Sequence, residues 1–525
     1  MAAKKKKNRQ KASGQQMPKP KQPRQILPMV LTGLLCLLLL IAYLCFFSAK
    51  WYVDVYGRIG FDSVLYTLAS GTEAVSADLI SDYLLGGALP ALIWWSGSLL
   101  FLFFPIKQVL RLKLFSKERR IFPLSPTVAR IVGLVLSLGL IVYAAWNVEL
   151  IDYINAQIQG TELYQKEYRD PKEVQITFPE EKRNLVYIVL ESMETSYLST
   201  DQGGALEHNL IPELFDLAQE NINFSHNETV GGFRQITGAS WTVGSLVAQS
   251  GGVPLKVPDG IADQQNGYGQ QGEFLPGLTT LQSILHENGY YQAMMFGSDA
   301  RYAGRKTYFT THGVDQIYDL FTARSDGLIP EDYRAWWGFE DLYLFSYAKD
   351  KLTEIAAQEQ PFAFLMLTAD THHVGGYPCR LCIKKYSENY DNVISCSSAQ
   401  TAKFIAWLTE QPFYENTTVI IVGDHNSMDA GYFKRNVAED YQRHIYNCFI
   451  NSAADATSTA NRQFTAMDLF PSTLAAMGCT IEGDRLGFGT NLFSGAPTLL
   501  ETYGYDAFAE ELSKRTYYYN RFYED

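Results

Sequence analysis

Two patterns of apolar residues divide the chain. In the first 150 residues the apolar positions run on without the polar breaks of a water-facing helix. Such runs occupy residues 27–49 (LPMVLTGLLCLLLLIAYLCFFSA), 83–106 and 127–146. Each reaches the roughly 20 residues a bilayer-spanning helix requires, so three spanning helices are expected there. The first run is too long for a cleaved signal peptide, no convincing small-x-small site follows it, and two further runs come next. Beyond residue 184 the pattern changes to short apolar runs: 185–190 (LVYIVL), 292–296 (QAMMF), 362–367 (FAFLML) and 418–422 (TVIIV). Helical spacing appears between them, at 278–288, 338–351 and 399–409. Alternation of this kind predicts an α/β domain with a central, mostly parallel sheet. Between the two parts, Leu150, Ile151, Ile154 and Ile158 fall at helical spacing, which suits a helix lying on a membrane surface or packed on the globular domain. The expected organisation is a tail at 1–25, a membrane domain at 26–147, a juxtamembrane linker at 148–182 and an α/β domain at 183–525.

Charge sharpens this division. The net charge of −12 over 525 residues argues against nucleic-acid binding, yet residues 1–150 carry +11 and residues 151–525 carry −23. Nine Lys/Arg precede the first apolar run, and Lys107, Arg111, Lys113, Lys117, Arg119 and Arg120 follow the second. The loop between the first two runs has only Lys50 and Arg58. Basic residues in short flanking segments stay in the cytoplasm, which places the N-terminus inside and everything after Trp146 outside. Trp51, Trp94, Trp95 and Trp146 are read as an interfacial aromatic belt.

Each short apolar run is followed at once by polar residues: Glu191, Ser298-Asp299, Asp370 to His373, and Asp424-His425. Ligands gather at the carboxyl ends of parallel strands. Asp424 and His425 offer a carboxylate and an imidazole suited to Zn²⁺ or Mn²⁺. Glu191 lies closer to its strand tip than Glu194 and is the better third ligand. Thr242 would open a short helix ending at Gly251-Gly252, where backbone N–H groups favour an anion. A hydroxyl nucleophile there needs activation, and Thr237, Ser240 and Ser245 compete with it. His372 and His373 are acid/base or phosphate-donor candidates, and Arg305 is a candidate phosphate clamp beside Asp299 and Arg301.

The ordered set VLES, the Thr segment, SDARYAGR, LTADTHH and VGDH resembles the sulfatase-like fold of the alkaline phosphatase superfamily. It is more closely similar to the membrane-anchored phosphoglycerol transferases, which include lipoteichoic acid synthases and the enzymes that decorate periplasmic glucans. The resemblance spans about residues 184–491. It implies that Glu191, Asp424 and His425 hold one divalent metal, Mn²⁺ first and Mg²⁺ or Zn²⁺ otherwise, with Thr242 as nucleophile and fourth ligand. It makes His372 the acid/base or phosphate partner and places Asp299, Arg305 and His373 in the substrate pocket. The implied reaction moves phosphoglycerol from an anionic phospholipid, phosphatidylglycerol, to a glycan or polyglycerol-phosphate acceptor. Phosphoethanolamine transfer and phosphodiester hydrolysis are the alternatives. The implied location is a bacterial inner membrane with the catalytic domain periplasmic or extracellular. Val374 stands where the group often has Pro, and Gly238-Ala239 where it has Gly-Thr. The C/S-x-P-x-R segment of formylglycine sulfatases does not occur.

Of the seven cysteines, Cys36 and Cys45 fall in the first apolar run. Cys379, Cys382 and Cys396 cluster in a part expected to face an oxidising exterior. One disulfide is expected, joining Cys396 to Cys379 or Cys382; a zinc site built from the same three lacks a fourth nearby ligand in the sequence.

Overall fold

The computed structural model describes residues 26–58, 60–69, 77–103, 110–114, 117–121, 126–256 and 272–524. The basic tail and Lys107, both used for the expected orientation, lie outside them. The described residues divide into two compact units. One takes in the chain up to Cys45 together with Ala91–Ile141, and the other takes in Phe46–Pro90 with Val142 onward.

Among the described residues, three helices are long and apolar enough to cross a membrane, with candidate spans Met29–Tyr56, Ile80–Leu100 and Thr127–Asn147. The first belongs to helix α1 (Ile26–Tyr56), which runs seven residues past the expected end. The second enters helix α2 (Leu89–Phe103) through a π turn at Leu84–Ala88. Pro90 has no N–H and its ring crowds the preceding turn, so a wider turn relieves the clash. The third is helix α3 (Pro126–Asn147), with Pro at its first position, where no intrahelical donor is needed. Within the first unit, Arg130 Nε donates to Thr32 Oγ1 at 2.9 Å and Trp95 Nε1 to the Cys36 carbonyl at 2.9 Å. Trp94 and Trp95 therefore sit in the body of α2 rather than at a span end. The linker forms helix α4 (Leu150–Ile158), whose Ile151, Ile154 and Ile158 are exposed.

The part beyond residue 183 is built on a seven-stranded sheet: β1 (Asn184–Leu190), β2 (Gly232–Phe233), β3 (Tyr291–Phe296), β4 (Gln316–Tyr318), β5 (Phe362–Leu367), β6 (Thr417–Gly423) and β7 (Ile445–Ile450). Their order is β2-β7-β6-β1-β5-β3-β4. Pairing is parallel from β6 to β4, and β7 runs antiparallel to both of its neighbours. Helix α5 (Thr242–Gly251), helix α6 (Leu281–Glu287), helix α7 (Asp341–Ala356) and helix α8 (Asn389–Thr409) flank the sheet.

Alternation along β1 explains the layers. Leu185, Tyr187 and Val189 point into one apolar core, while Val186, Ile188 and Leu190 point into the other. Burial on both faces is why these strands read as continuous apolar runs. Register then sets the site: Leu190 lies opposite Gly423, and Val189 opposite Leu367. The residues just past those pairs, Glu191, Asp424 and Thr368, emerge side by side at one edge of the sheet.

Candidate active site

Glu191, Asp424 and His425 converge within this edge. All three are buried, and one ligand-capable atom from each lies within 4.8 Å of the others. Close approach of the chain makes this possible: a Cβ on Gly423 would fall 2.0 Å from the Met193 carbonyl oxygen, so only glycine fits immediately before Asp424.

Hydrogen bonds fix each group. Asp424 Oδ1 accepts from the Ser192 N–H at 2.7 Å and from the His425 N–H at 2.8 Å. Glu191 Oε1 accepts from Ser192 Oγ at 2.7 Å, and the Glu191 N–H donates to Thr368 Oγ1 at 3.0 Å. His425 Nδ1 lies 2.9 Å from the Asn426 carbonyl oxygen. A carbonyl can only accept, so Nδ1 carries the proton and Nε2 presents its lone pair.

That lone pair faces Asp424 Oδ2 at 3.3 Å and Glu191 Oε1 at 3.6 Å. Asp424 Oδ2 is buried without a hydrogen-bond donor. Burial, then the Glu191 charge, raises the Asp424 pKa to about 7. Burial lowers the affinity of His425 for a proton, but the Asp424 and Glu191 carboxylates outweigh it and hold its pKa above the ordinary value. Electron-rich atoms aimed at one another in a dry place need a cation between them. Two carboxylates and an imidazole are the donor set for a divalent transition metal, so the residues present fit the implied ion.

Thr242 opens α5, with its Oγ1 3.3 Å from His425 Nε2 and 3.5 Å from Glu191 Oε2. The helix is tied to the strand end it faces. Ser245 Oγ donates to the Asp424 carbonyl at 2.5 Å, Gln249 Nε2 donates to the Gly423 carbonyl at 3.2 Å, and Tyr187 Oη donates to Gln249 Oε1 at 2.9 Å. Of the competing hydroxyls, Ser245 is engaged in this tie. Thr237 lines a different cavity, alongside Asp62, Lys256 and Lys514.

A cavity of about 400 Å³ opens beside Glu191 and Thr242. Its wall includes His372, Asp299, Arg305 and three further arginines, Arg301, Arg324 and Arg334, together with Ser298, Tyr302 and Trp337. Arg305 is buried over the Phe296 ring. Its guanidinium donates to Ser298 Oγ at 2.9 Å and to the Asp299 and Tyr302 carbonyls at 2.7 and 3.2 Å. Asp299 pairs with Arg301 at 2.7 Å. Burial works against the Asp299 charge, but its bonds to Arg301 prevail and hold its carboxyl below the usual range.

His372 packs against the Trp336 and Trp337 rings, and its Nδ1 is 2.8 Å from the His373 carbonyl, leaving Nε2 as the nitrogen free to work. Burial lowers its pKa to about 4, so it is neutral at pH 7. His373 does not line the cavity; its ring lies between those of His372 and Tyr56. Glu194 is fully buried and held by Arg443, whose Nε donates to Oε2 at 2.7 Å, and by the Ser427 N–H at 2.9 Å. It is a structural ion pair outside the convergent set.

The sequence reading missed Arg324, Arg334 and Trp337. They lie in the stretch between β4 and α7, with no apolar strand run before them to mark a functional end.

The sulfatase family model matches residues 183–479. Phosphoglycerol transferase I of Salmonella choleraesuis is 28% identical over 446 residues, covering 83% of this chain and 53% of the relative. The same-named protein of Citrobacter koseri is 29% identical over 381 residues, covering 70% and 45%. The chain thus spans about half the length of these curated relatives. Among solved structures, the lipoteichoic acid synthase LtaP from Listeria monocytogenes is 19% identical, covers 61% of this chain and 79% of its own, and has a TM-score of 0.47. The lipooligosaccharide phosphoethanolamine transferase A from Neisseria meningitidis is 15% identical, covers 87% and 85%, and has a TM-score of 0.49. Since the matched segment is more than half of its length and contains the whole Glu191, Thr242, Asp424 and His425 cluster, the chain belongs to the sulfatase family.

Proposed function

We propose that the protein transfers a phosphoglycerol headgroup from an anionic membrane phospholipid, phosphatidylglycerol, to a hydroxyl of an envelope glycan or polymer, through a phosphothreonine at Thr242. The observation that carries this reading is the position of Thr242 Oγ1, between the Glu191 and His425 side chains and at the mouth of an arginine-lined cavity. Names of the curated relatives support a phosphoglycerol substrate, and three apolar helices suit an enzyme whose donor is itself a membrane lipid.

In the first half-reaction Thr242 Oγ attacks the donor phosphorus, the bond to the diacylglycerol oxygen breaks, and diacylglycerol leaves with a proton. In the second half-reaction an acceptor hydroxyl attacks the phosphothreonine, the Oγ–phosphorus bond breaks, and Thr242 regains its proton. No net proton is consumed. His372, neutral at rest with Nε2 available, carries the proton in both directions. Arg305, its guanidinium fixed by the Ser298 side chain and the Asp299 carbonyl, holds phosphate oxygens, and the other cavity arginines make the site locally basic within a part whose net charge is −23. Glu191, Asp424, His425 and Thr242 would hold a divalent metal, Mn²⁺ the first choice, which would supply charge neutralisation and a lowered Thr hydroxyl pKa. The catalytic domain is expected outside the cytoplasm of a bacterial inner membrane.

The test is mass spectrometry of the purified protein after incubation with labelled phosphatidylglycerol or phosphatidylethanolamine. A glycerophosphate adduct on Thr242 from the first donor is the expected result. An adduct from phosphatidylethanolamine alone would replace this reading with phosphoethanolamine transfer. Free glycerophosphate released to water without any adduct would replace it with hydrolysis.

A further inference from the structure

A second group of metal-capable side chains stands apart from the active site. The sulfurs of Cys379 and Cys382 are 3.7 Å apart, those of Cys379 and Cys396 are 3.8 Å apart, and all three lie within 4.8 Å of one another. None is bonded to another sulfur. A disulfide would hold one pair at about 2.05 Å. Tetrahedral thiolates on zinc, each about 2.3 Å from the ion, sit about 3.8 Å from one another.

The surroundings favour a thiolate at Cys379, while its sulfur neighbours and burial hold the Cys382 and Cys396 thiols above the ordinary value, as three thiols without a cation between them would be. Cys379 and Cys382 form a C-x₂-C loop in which the Leu381 and Cys382 N–H groups turn toward the Cys379 sulfur. Gln400, one turn beyond Cys396 on α8, donates Nε2 to the Cys396 sulfur at 3.4 Å and to the Cys379 sulfur at 3.8 Å. The neighbouring cations turn elsewhere: Arg380 lies over the Tyr343 ring and Lys385 over Tyr386.

Asp370 stands outside this close trio but next to it in the fold. It is 3% exposed, and neither carboxylate oxygen has a hydrogen-bond partner. Burial, then Asp341, then Cys379 raise its pKa to about 10, so it lies within electrostatic reach of the thiols and lacks a counter-charge. Asp341, by contrast, is satisfied by the Ala369 and Asp370 N–H groups at 2.7 and 3.1 Å. The orphaned buried Asp370 carboxylate near Cys379 is the side chain left to serve as a fourth ligand, which spacing along the chain did not reveal.

We propose that Cys379, Cys382, Cys396 and Asp370 bind a single borderline-soft divalent cation, Zn²⁺ being the type, at a structural site separate from the Glu191–Asp424–His425 cluster. A closed site of three sulfurs and one oxygen leaves no position for substrate. Its effect is to staple the loop leaving His372 and His373 to helix α8.

The test uses the full chain in detergent, isolated without reductant or chelator, in wild-type form and as Glu191→Gln, which disables the other cluster. The expected result is one zinc per Glu191→Gln chain and seven alkylatable thiols after denaturation. Replacing that zinc with Co²⁺ alone should give the near-ultraviolet thiolate-to-cobalt absorption of three Co–S bonds, and Zn²⁺ should bleach it. Cys382→Ser should lose about a third of the intensity and Cys396→Ser should weaken cobalt retention. The wild-type and Glu191→Gln measurements need no cysteine variant to fold. Five alkylatable thiols with a peptide joining two of the three cysteines would overturn the proposal in favour of the disulfide. Zinc-free Glu191→Gln protein that shows no charge-transfer band with cobalt would overturn it as well.

Discussion

Thr242 Oγ1 lies 3.3 Å from His425 Nε2, although 183 residues separate the two in the chain. One opens a helix and the other follows a strand. They meet because Ser245 and Gln249, on the same helix, hydrogen-bond the carbonyls of Asp424 and Gly423.

The first prediction follows from that contact. Thr242→Ala should lower diacylglycerol release by more than about a thousandfold, as loss of a covalent nucleophile does. Thr237→Ala should leave it within a few-fold of wild type, because Thr237 lines a different cavity. A labelled-phospholipid assay checks both, and the reverse pattern would move the nucleophile to Thr237.

Glu191 and Glu194 are separated by one helical turn's length of sequence but have opposite roles. Glu191→Gln should abolish metal retention at the active site while the protein remains folded. Arg443→Ala, which strips Glu194 of its buried partner, should destabilise the fold by about 3 kcal/mol, the cost of leaving one charge of such a pair uncompensated. Metal analysis and denaturant unfolding of each variant separate the two effects. Loss of the active-site metal in Glu194→Gln, with Glu191→Gln keeping as much metal as wild type, would reverse the assignment.

Arg305 holds its position through the Ser298 hydroxyl and two backbone carbonyls. Arg305→Lys keeps the charge but not the planar fork, so it should raise KM for the phospholipid about tenfold or more, in line with the loss of a charged hydrogen bond. Steady-state kinetics against donor concentration reads this directly. An unchanged KM would remove Arg305 from the donor site.

His312 gives a pH dependence whose sign is fixed. It is buried against Tyr308, and burial lowers its pKa from 6.5 to about 4. Between those values the unfolded chain binds the proton and the folded chain does not. The neutral-form stabilisation is therefore complete above pH 6.5 and is lost as pH falls toward 4, by at most about 1.4 kcal/mol per pH unit. His312→Asn should be less stable than wild type at pH 7, and the gap should narrow on acidification. Parallel profiles of thermal midpoint against pH would contradict this.

Much of the frame was legible in the chain itself. The runs at 185–190, 292–296, 362–367 and 418–422 became β1, β3, β5 and β6 because strands buried on both faces admit little but apolar residues. Helix ends were harder to read. The expected helix at 399–409 begins ten residues earlier, at Asn389, since its first turns include polar residues such as Asn392, Ser397 and Ser398 that are buried by tertiary contacts.

The sequence by itself determined which residues follow strand ends and which segments are too apolar for water, because both depend on local composition and periodicity. Only the tertiary structure decided which of those polar residues meet. Parallel register, with Leu190 opposite Gly423, puts Glu191 beside Asp424. Packing of the segments beyond the strands sets His373 apart from the cavity that His372 lines, brings Arg324 and Arg334 to the same cavity, and leaves Asp370 without a hydrogen-bond partner near Cys379. Convergence of this kind arises from long-range packing and register, which no short stretch of sequence encodes.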